Sequence, residues 1–287
     1  MSVRAALNGD PLLIVTETPV LKRLRELPPG YRVRGVDTWG ELAAAMENAP
    51  PSATVLADPF LGRRAADGPS PELKRVMLRR PMIPVVAVMP LRGELMAHAD
   101  LLVKWGVSEV LNLNLQHPAD AIRDVLRGVR ARPLKREAER LMGTFGSENA
   151  RRLVRASCEV AVAGGGAPEM AAIFGVDPRT VTTWCRREGV PPPRRLLAWA
   201  RVLLASLLLR EHGRSIVNVA RGAGYANDHA VRRALRELAG CDPGGVERDK
   251  VFNHAAARFR DDLRKVRDRV RERRRDTDTG RTHTPDG

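Results

Sequence analysis

Arg179, Thr182, Thr183 and Arg186 recur at steps of three and four, a spacing that sets all four on one face of an α-helix while Val181 and Cys185 turn inward. Further along, His229, Arg232, Arg233 and Arg236 repeat the arrangement, with Ala230, Val231, Ala234, Leu235 and Leu238 left for a core. A guanidinium fork matches the O6 and N7 acceptors of guanine, and Thr and His reach base edges, thymine methyls or phosphates. Two such helices predict readers of the major groove of duplex DNA. Solvated charge is the ordinary meaning of one basic face. Two faces in series, each behind a turn with its own cap, point to a ligand.

The turns follow from residue chemistry. Pro168 suits the opening position of a short helix, and Gly175 supplies the left-handed residue that ends it after Phe174. Asp177 then caps a second helix, its carboxylate taking the free amides while Pro178 pre-sets the first turn. In the later unit Ser215 caps Ile216–Gly222, Gly224 turns the chain, and Asn227 caps the helix that opens at Asp228. Between the units, Arg194–Glu211 carries Leu196, Leu197, Trp199, Val202, Leu203, Leu207 and Leu208 on nearly every side, which predicts a buried helix shared by both. A rigid shared helix fixes the separation of the two readers, and successive major grooves on one DNA face lie about 34 Å apart.

In these residues the chain resembles the DNA-binding domain of AraC/XylS-type regulators. The stretch GVDPRTVTTWCRREGVPPPRRLLAWARVLLASLL is followed by SIVNVARGAGYANDHAVRRALRELAGCDP, with Ile216, Ala220, Gly224, Tyr225, the Arg233–Leu235 helix and Gly240…Pro243 at the family's spacing. The resemblance covers residues 150 to 246. It implies an all-α double helix-turn-helix domain in a bacterial transcription regulator, with RNA polymerase as a further partner. The base-contacting positions it implies are Arg179, Thr182 and Thr183 in the first unit and Asp228, His229, Arg232 and Arg233 in the second. Asp228 departs from the pattern, being an anion where a neutral polar residue is common; capping the helix or accepting from cytosine N4 are its expected uses.

Residues 1–132 follow another grammar. Short β-rich runs at Leu12–Val15, Tyr31–Val36, Ala53–Leu56, Val85–Met89 and Glu109–Leu113 alternate with helical patterns at Pro19–Leu27, Thr38–Asn48, Pro71–Arg79, Arg92–Lys104 and Pro118–Arg130. This layout predicts a flavodoxin-like α/β domain. It resembles a response-regulator receiver, with Asp58 in the run TVLADP where such domains carry the phosphate-accepting aspartate. The acidic pair expected after the first strand reads Thr16-Glu17, the hydroxyl position after the fourth strand reads Met89, and the lysine near the end of the fifth reads Leu113. Phosphoryl transfer without a second carboxylate for Mg²⁺ and without that cation loses its electrostatic support, so the expectation is a pseudo-receiver. Two other readings stay open for Asp58: a working phosphoacceptor in a phosphorylation-switched regulator, and a plain turn residue before proline. An enzyme using the crevice at the strand ends would need a nucleophile–base pair, metal cluster or dinucleotide fingerprint, so no catalytic residue, metal or cofactor is expected.

Composition agrees with this division. The formal charge is +15, and residues 133–287 carry most of the excess, 31 Lys and Arg against 20 Asp and Glu. The expected domains are a receiver-like domain over 1–132, a helical linker over 133–146, the DNA-binding domain over 147–246, and a basic helix with a disordered tail over 247–287, the disorder beginning at Arg271. Phe252, Ala256, Phe259, Leu263, Val266 and Val270 alternate steps of four and three, the spacing of a coiled-coil seam. Homodimerisation and docking onto the chain's own domains fit that seam about equally, and a homodimer is favoured because one such DNA-binding domain buries few base contacts. Gly164–Gly166 reads as an interhelical turn, and His98, His117, His212, His254 and His283 form no ligand cluster. Cys158, Cys185 and Cys241 stand in no metal or disulfide pattern, Met1–Val15 lacks the form of a secretory signal, and the apolar run Leu196–Leu209 is short and broken by Arg201. The expectation is a cytoplasmic protein with reduced thiols and no membrane span.

Overall fold

β3 (Thr54–Ala57) and β4 (Val85–Met89) are buried at every position, as strands covered on both faces of a parallel sheet must be. The computed structural model describes residues 10–15, 31–47, 49, 53–90, 93, 95–112, 119–143, 146–211 and 214–281. It places β1 (Asp10–Val15) beside β3 and β5 (Glu109–Asn112) beside β4, with β2 (Tyr31–Val36) outside β1. The order is therefore β2-β1-β3-β4-β5, and every pairing is parallel. β2 is an edge strand: Val33, Arg34 and Gly35 are exposed and Val36 is buried. α1 (Trp39–Glu47), α2 (Pro71–Arg79) and α3 (Leu95–Trp105) supply Leu42, Met46, Leu73, Val76 and Leu102 to one core with Val55, Ala57, Val85 and Ala87. Leu56, Val86 and Val88 alternate to the other face of the sheet and are buried too. The helix expected at Pro19–Leu27 lies outside the described residues.

The chain divides into two compact units, Met1–Pro133 and Leu134–Gly287. A break is expected between a helix at Pro118–Arg130 and a connector from Pro133. Instead the backbone forms one helix, α4 (Ala119–Met142), with Pro133 inside it. Proline there removes the donor for the Val129 carbonyl at a cost of about 3 kcal/mol. Burial of Leu126, Val129, Leu134 and Ala138 on the same helix offsets that loss.

Among its described residues the second unit has helices joined by turns and no strand. α5 (Glu148–Val162), α6 (Ala167–Ile173), α7 (Pro178–Glu188), α8 (Pro193–Arg210), α9 (Ile216–Gly222), α10 (Asp228–Ala234) and α11 (Arg248–Arg281) surround one core. α8 is its axis: Leu196, Trp199, Val202, Leu203, Leu207 and Leu208 are all buried, each fully buried leucine contributing about 1.5–3 kcal/mol. Glu211 and Arg214 form a buried ion pair just after α8, and Arg248 donates to the Arg214 carbonyl at 2.7 Å.

Three expectations are corrected in this unit. The single helix expected over Asp228–Ala239 becomes α10 followed by a π turn, Leu235–Ala239, closed by Gly240. The wider turn buries both Leu235 and Ala239. The seam residues Phe252, Ala256, Phe259 and Leu263 are buried against the chain's own α8 and π turn, so the coiled-coil reading fails for them. Phe259 meets the Trp199 ring at 5.6 Å, and the Arg210 guanidinium stands over Phe252 at 5.5 Å. The disorder expected from Arg271 gives way to helix as far as Arg281, where α11 ends, and residues 282–287 lie outside the described residues. Once its first turns are anchored, each added residue gains a hydrogen bond without a new nucleation cost.

Candidate nucleic-acid interface

In the first helix-turn-helix unit, α6 opens after Gly166, whose N–H donates to Glu169 at 2.8 Å. Gly175 turns the chain at φ 65°, a left-handed conformation that an L side chain strains. Asp177 Oδ1 then accepts from the Arg179 and Thr180 N–H groups at 2.8 and 3.0 Å, and the Thr180 hydroxyl donates to Oδ2 at 2.5 Å. These bonds, the Thr180 hydroxyl first, hold the Asp177 carboxyl below the usual carboxylate range.

On α7 the structure exposes Arg179, Thr182, Thr183 and Arg186 while burying Val181 and Cys185. Burial pushes the Cys185 thiol up to about 12. Thr182 donates its hydroxyl hydrogen to the Pro178 carbonyl at 2.9 Å. Its oxygen is left as an acceptor, and its methyl can meet a thymine methyl. Among the described residues, neither Arg179 nor Arg186 has an ion-pair partner. The far end of α7 is tied to α5, where the Ser147 hydroxyl donates to Glu188 at 2.5 Å and accepts from the Ala150 N–H at 3.1 Å.

The second unit repeats the caps but not the electrostatics. Ser215 accepts from the Asn218 N–H at 3.3 Å, Gly224 turns the chain at φ 74°, and Asn227 accepts from the Ala230 N–H at 2.9 Å. His229, Arg233 and Arg236 are exposed, Asp228 and Arg232 half-buried, and Val231 and Leu235 buried. Arg232 lies between two carboxylates, 3.8 Å from Asp228 and 3.6 Å from Asp242, and Arg233 lies 3.9 Å from Glu237. These separations are electrostatic contacts beyond hydrogen-bond range. Capping belongs to Asn227, and Asp228 faces Arg232 instead. Arg236 stands on the π turn that follows α10 and is exposed.

α8 joins the two units through a residue the sequence did not single out. Arg201 donates to the Gly165 carbonyl at 2.6 Å, and a Cβ on Gly224 would stand 3.8 Å from its Nε. The guanidinium thus bonds the turn before α6 and lies beside the turn of the second unit. Arg195 and Trp199 were likewise missed as a pair, although their i, i+4 spacing sets them on one face of α8. Both donate to Asp262 of α11, a partner that only the path of α11 reveals.

Asp58 follows β3 directly, and its carboxylate accepts from the Phe60 N–H at 2.8 Å. Met89 is fully buried at the end of β4, and Thr16, Glu17 and Leu113 lie outside the described residues. Among the described residues no group of three His, Cys, Asp or Glu could hold a metal, and no helix is long and apolar enough to cross a membrane.

No curated protein sequence matches the chain. Full-length FixJ from B. japonicum is similar at 13% identity over 82% of this chain and 100% of that one, with a TM-score of 0.36, too low to bear on the architecture. Residues 170–249, from within α6 to the start of α11, match the family described as a helix-turn-helix domain, of the AraC type. Over these residues the chain is thus similar to helix-turn-helix domains of a DNA-binding, transcription-regulating kind.

Proposed function

We propose that the chain is a cytoplasmic bacterial transcription regulator that reads duplex DNA with α7 and α10 and is not gated by phosphorylation. One observation carries this reading: two exposed cationic faces, each behind a side-chain-capped turn, lie inside the matched domain. Arg179 is the first unit's guanidinium fork, suited to guanine O6 and N7. Thr182 accepts from adenine N6 or cytosine N4, its hydrogen being held by Pro178, and Thr183 takes a neighbouring base edge. Arg186, Arg233 and Arg236 meet phosphates, while His229 and Arg232 read bases in the second groove. RNA polymerase would be the further partner of an activator built this way.

The N-terminal unit serves as a sensing or assembly platform. Its order β2-β1-β3-β4-β5 supports a flavodoxin-like fold, and the Asp58 carboxylate, bonded within its own turn, supports a pseudo-receiver. Selection of bound fragments from random duplex DNA tests the main claim. An enriched motif with two separated segments, and affinity that falls steeply with salt, is the expected result. Asp58→Asn with Mg²⁺ and acetyl phosphate tests the second: mass and DNA affinity should be the same for both proteins, and a phosphoryl group gained by the parent alone would restore the phosphorylation switch.

A further inference from the structure

The family match ends at residue 249, yet α11 runs on to Arg281. Its buried face lies along α8 and on the π turn that continues α10. Asp262 fastens it. Oδ2 accepts from Arg195 Nε at 2.6 Å and from Trp199 Nε1 at 2.7 Å, and Oδ1 accepts from the Arg195 guanidinium at 3.0 Å. The Asp262 side chain is 13% exposed and that of Arg195 51%, so solvent screens part of the charge while the paired bonds and the Trp199 N–H orient the carboxylate.

α11 also touches the ends of both recognition helices. Gly189 closes α7, and a Cβ there would stand 3.4 Å from the Arg267 Cα. Gly240 closes the π turn after α10, and a Cβ there would stand 3.9 Å from Arg258 Nε. From Arg258 to Arg267 is about 13–14 Å of stiff helix. One rod thus meets both readers and is locked at one point to the helix between them.

We propose that α11 gauges the separation and tilt of the two recognition helices, with Asp262 as the positioning residue, so that this helix selects the number of base pairs between the two DNA segments read. The proposal rests on the DNA-binding reading above. One base pair moves the second segment by about 3.4 Å and a tenth of a turn, so a locked pair of readers rejects the change and a loosened pair follows it.

The full-length chain tests this in two ways. Spin labels on Thr183→Cys and His229→Cys report the distance between α7 and α10 without DNA; Cys158, Cys185 and Cys241 are buried and stay unlabelled in the folded protein. The distance distribution should be narrow, and clearly broader with Asp262→Ala added. Separately, with no labels, binding is measured to the selected duplex and to versions with one base pair added or removed between its segments. The parent should lose about tenfold or more per step, comparable to a mismatch, and Asp262→Ala less than about threefold, with affinity for scrambled DNA unchanged. If Asp262→Ala fails to fold, Asp262→Asn and Arg195→Gln replace it. An unchanged distance distribution and an unchanged spacer penalty in a folded variant overturn the proposal. A parent that binds no duplex sinks the DNA reading alone, since the distance measurement still decides whether α11 sets the helix separation.

Discussion

The two helix-turn-helix units share a capping grammar and differ in what surrounds their arginines. On α7, Arg179 and Arg186 are exposed without an ion-pair partner among the described residues, whereas on α10 Arg232 lies between Asp228 and Asp242. A guanidinium already facing two carboxylates must exchange them for a base, so its net gain on binding is smaller and its wrong-site affinity lower. If both helices read DNA as proposed, the first unit favours attraction and the second discrimination. Local sequence sets the turns, and the charge environment sets the division of labour.

The largest effect expected is on the buried ion pair that follows α8, between the two helix-turn-helix units. Glu211→Ala removes the buried carboxylate that pairs with Arg214 and should destabilise the helical unit Leu134–Gly287 by up to roughly 3–5 kcal/mol, measured by denaturant unfolding. Both units should unfold in one transition; two separate transitions would mean that the comparison concerns independent bodies. Next come the readers themselves. Arg179→Ala and Arg232→Ala should each cost about 1–3 kcal/mol on the selected duplex, but only Arg179→Ala should also weaken scrambled DNA appreciably. Equal losses on scrambled DNA would erase the distinction.

Removal of the second cap, Asn227→Ala, should cost about 1 kcal/mol of stability and lower DNA affinity by misplacing α10. Asp242→Asn keeps the 2.9 Å acceptor for the Gly244 N–H while removing one of the charges facing Arg232. It should tighten binding to all duplexes by a factor of about two to five, at some loss of selectivity, and unchanged binding would show that Asp242 does not restrain Arg232. The smallest effect is a pH dependence. The Asp177 carboxyl is held below its ordinary range by Thr180 and the helix amides, so its contribution to α7 is present above about pH 4 and is lost as pH falls through the lowered value. Asp177→Asn should flatten stability over that acid range, and an unaltered acid profile would remove Asp177 from the cap.

Much of this was legible in residue order, and the failures are instructive. Asp177, Ser215 and Asn227 act within three residues of themselves, so their roles follow from local chemistry. The paired faces of α7 and α10 are equally local, because helical periodicity places Val181 and Val231 inward. Pro133 misled because a tertiary environment carried a helix through a residue that ends most isolated helices. The seam from Phe252 to Leu263 misled because a heptad pattern names an apolar stripe without naming what covers it. Asp262 was invisible for the same reason. A carboxylate in an arginine-rich helix gives no sign that its partners, Arg195 and Trp199, lie on a helix far back in the chain.

The contact between Trp199 and Phe259 has a bearing on how the domain comes into being. It joins residues about sixty positions apart, so this part of the core closes only after a long loop of chain has been made. During synthesis α8 emerges with Leu196, Leu203 and Leu207 well before α11 arrives to shelter part of that helix. A nascent chain stalled before Phe259 therefore presents an apolar strip to chaperones and proteases rather than a half-working DNA binder. Completion of the last long helix covers that strip and, on the proposed reading, brings both recognition helices into place together.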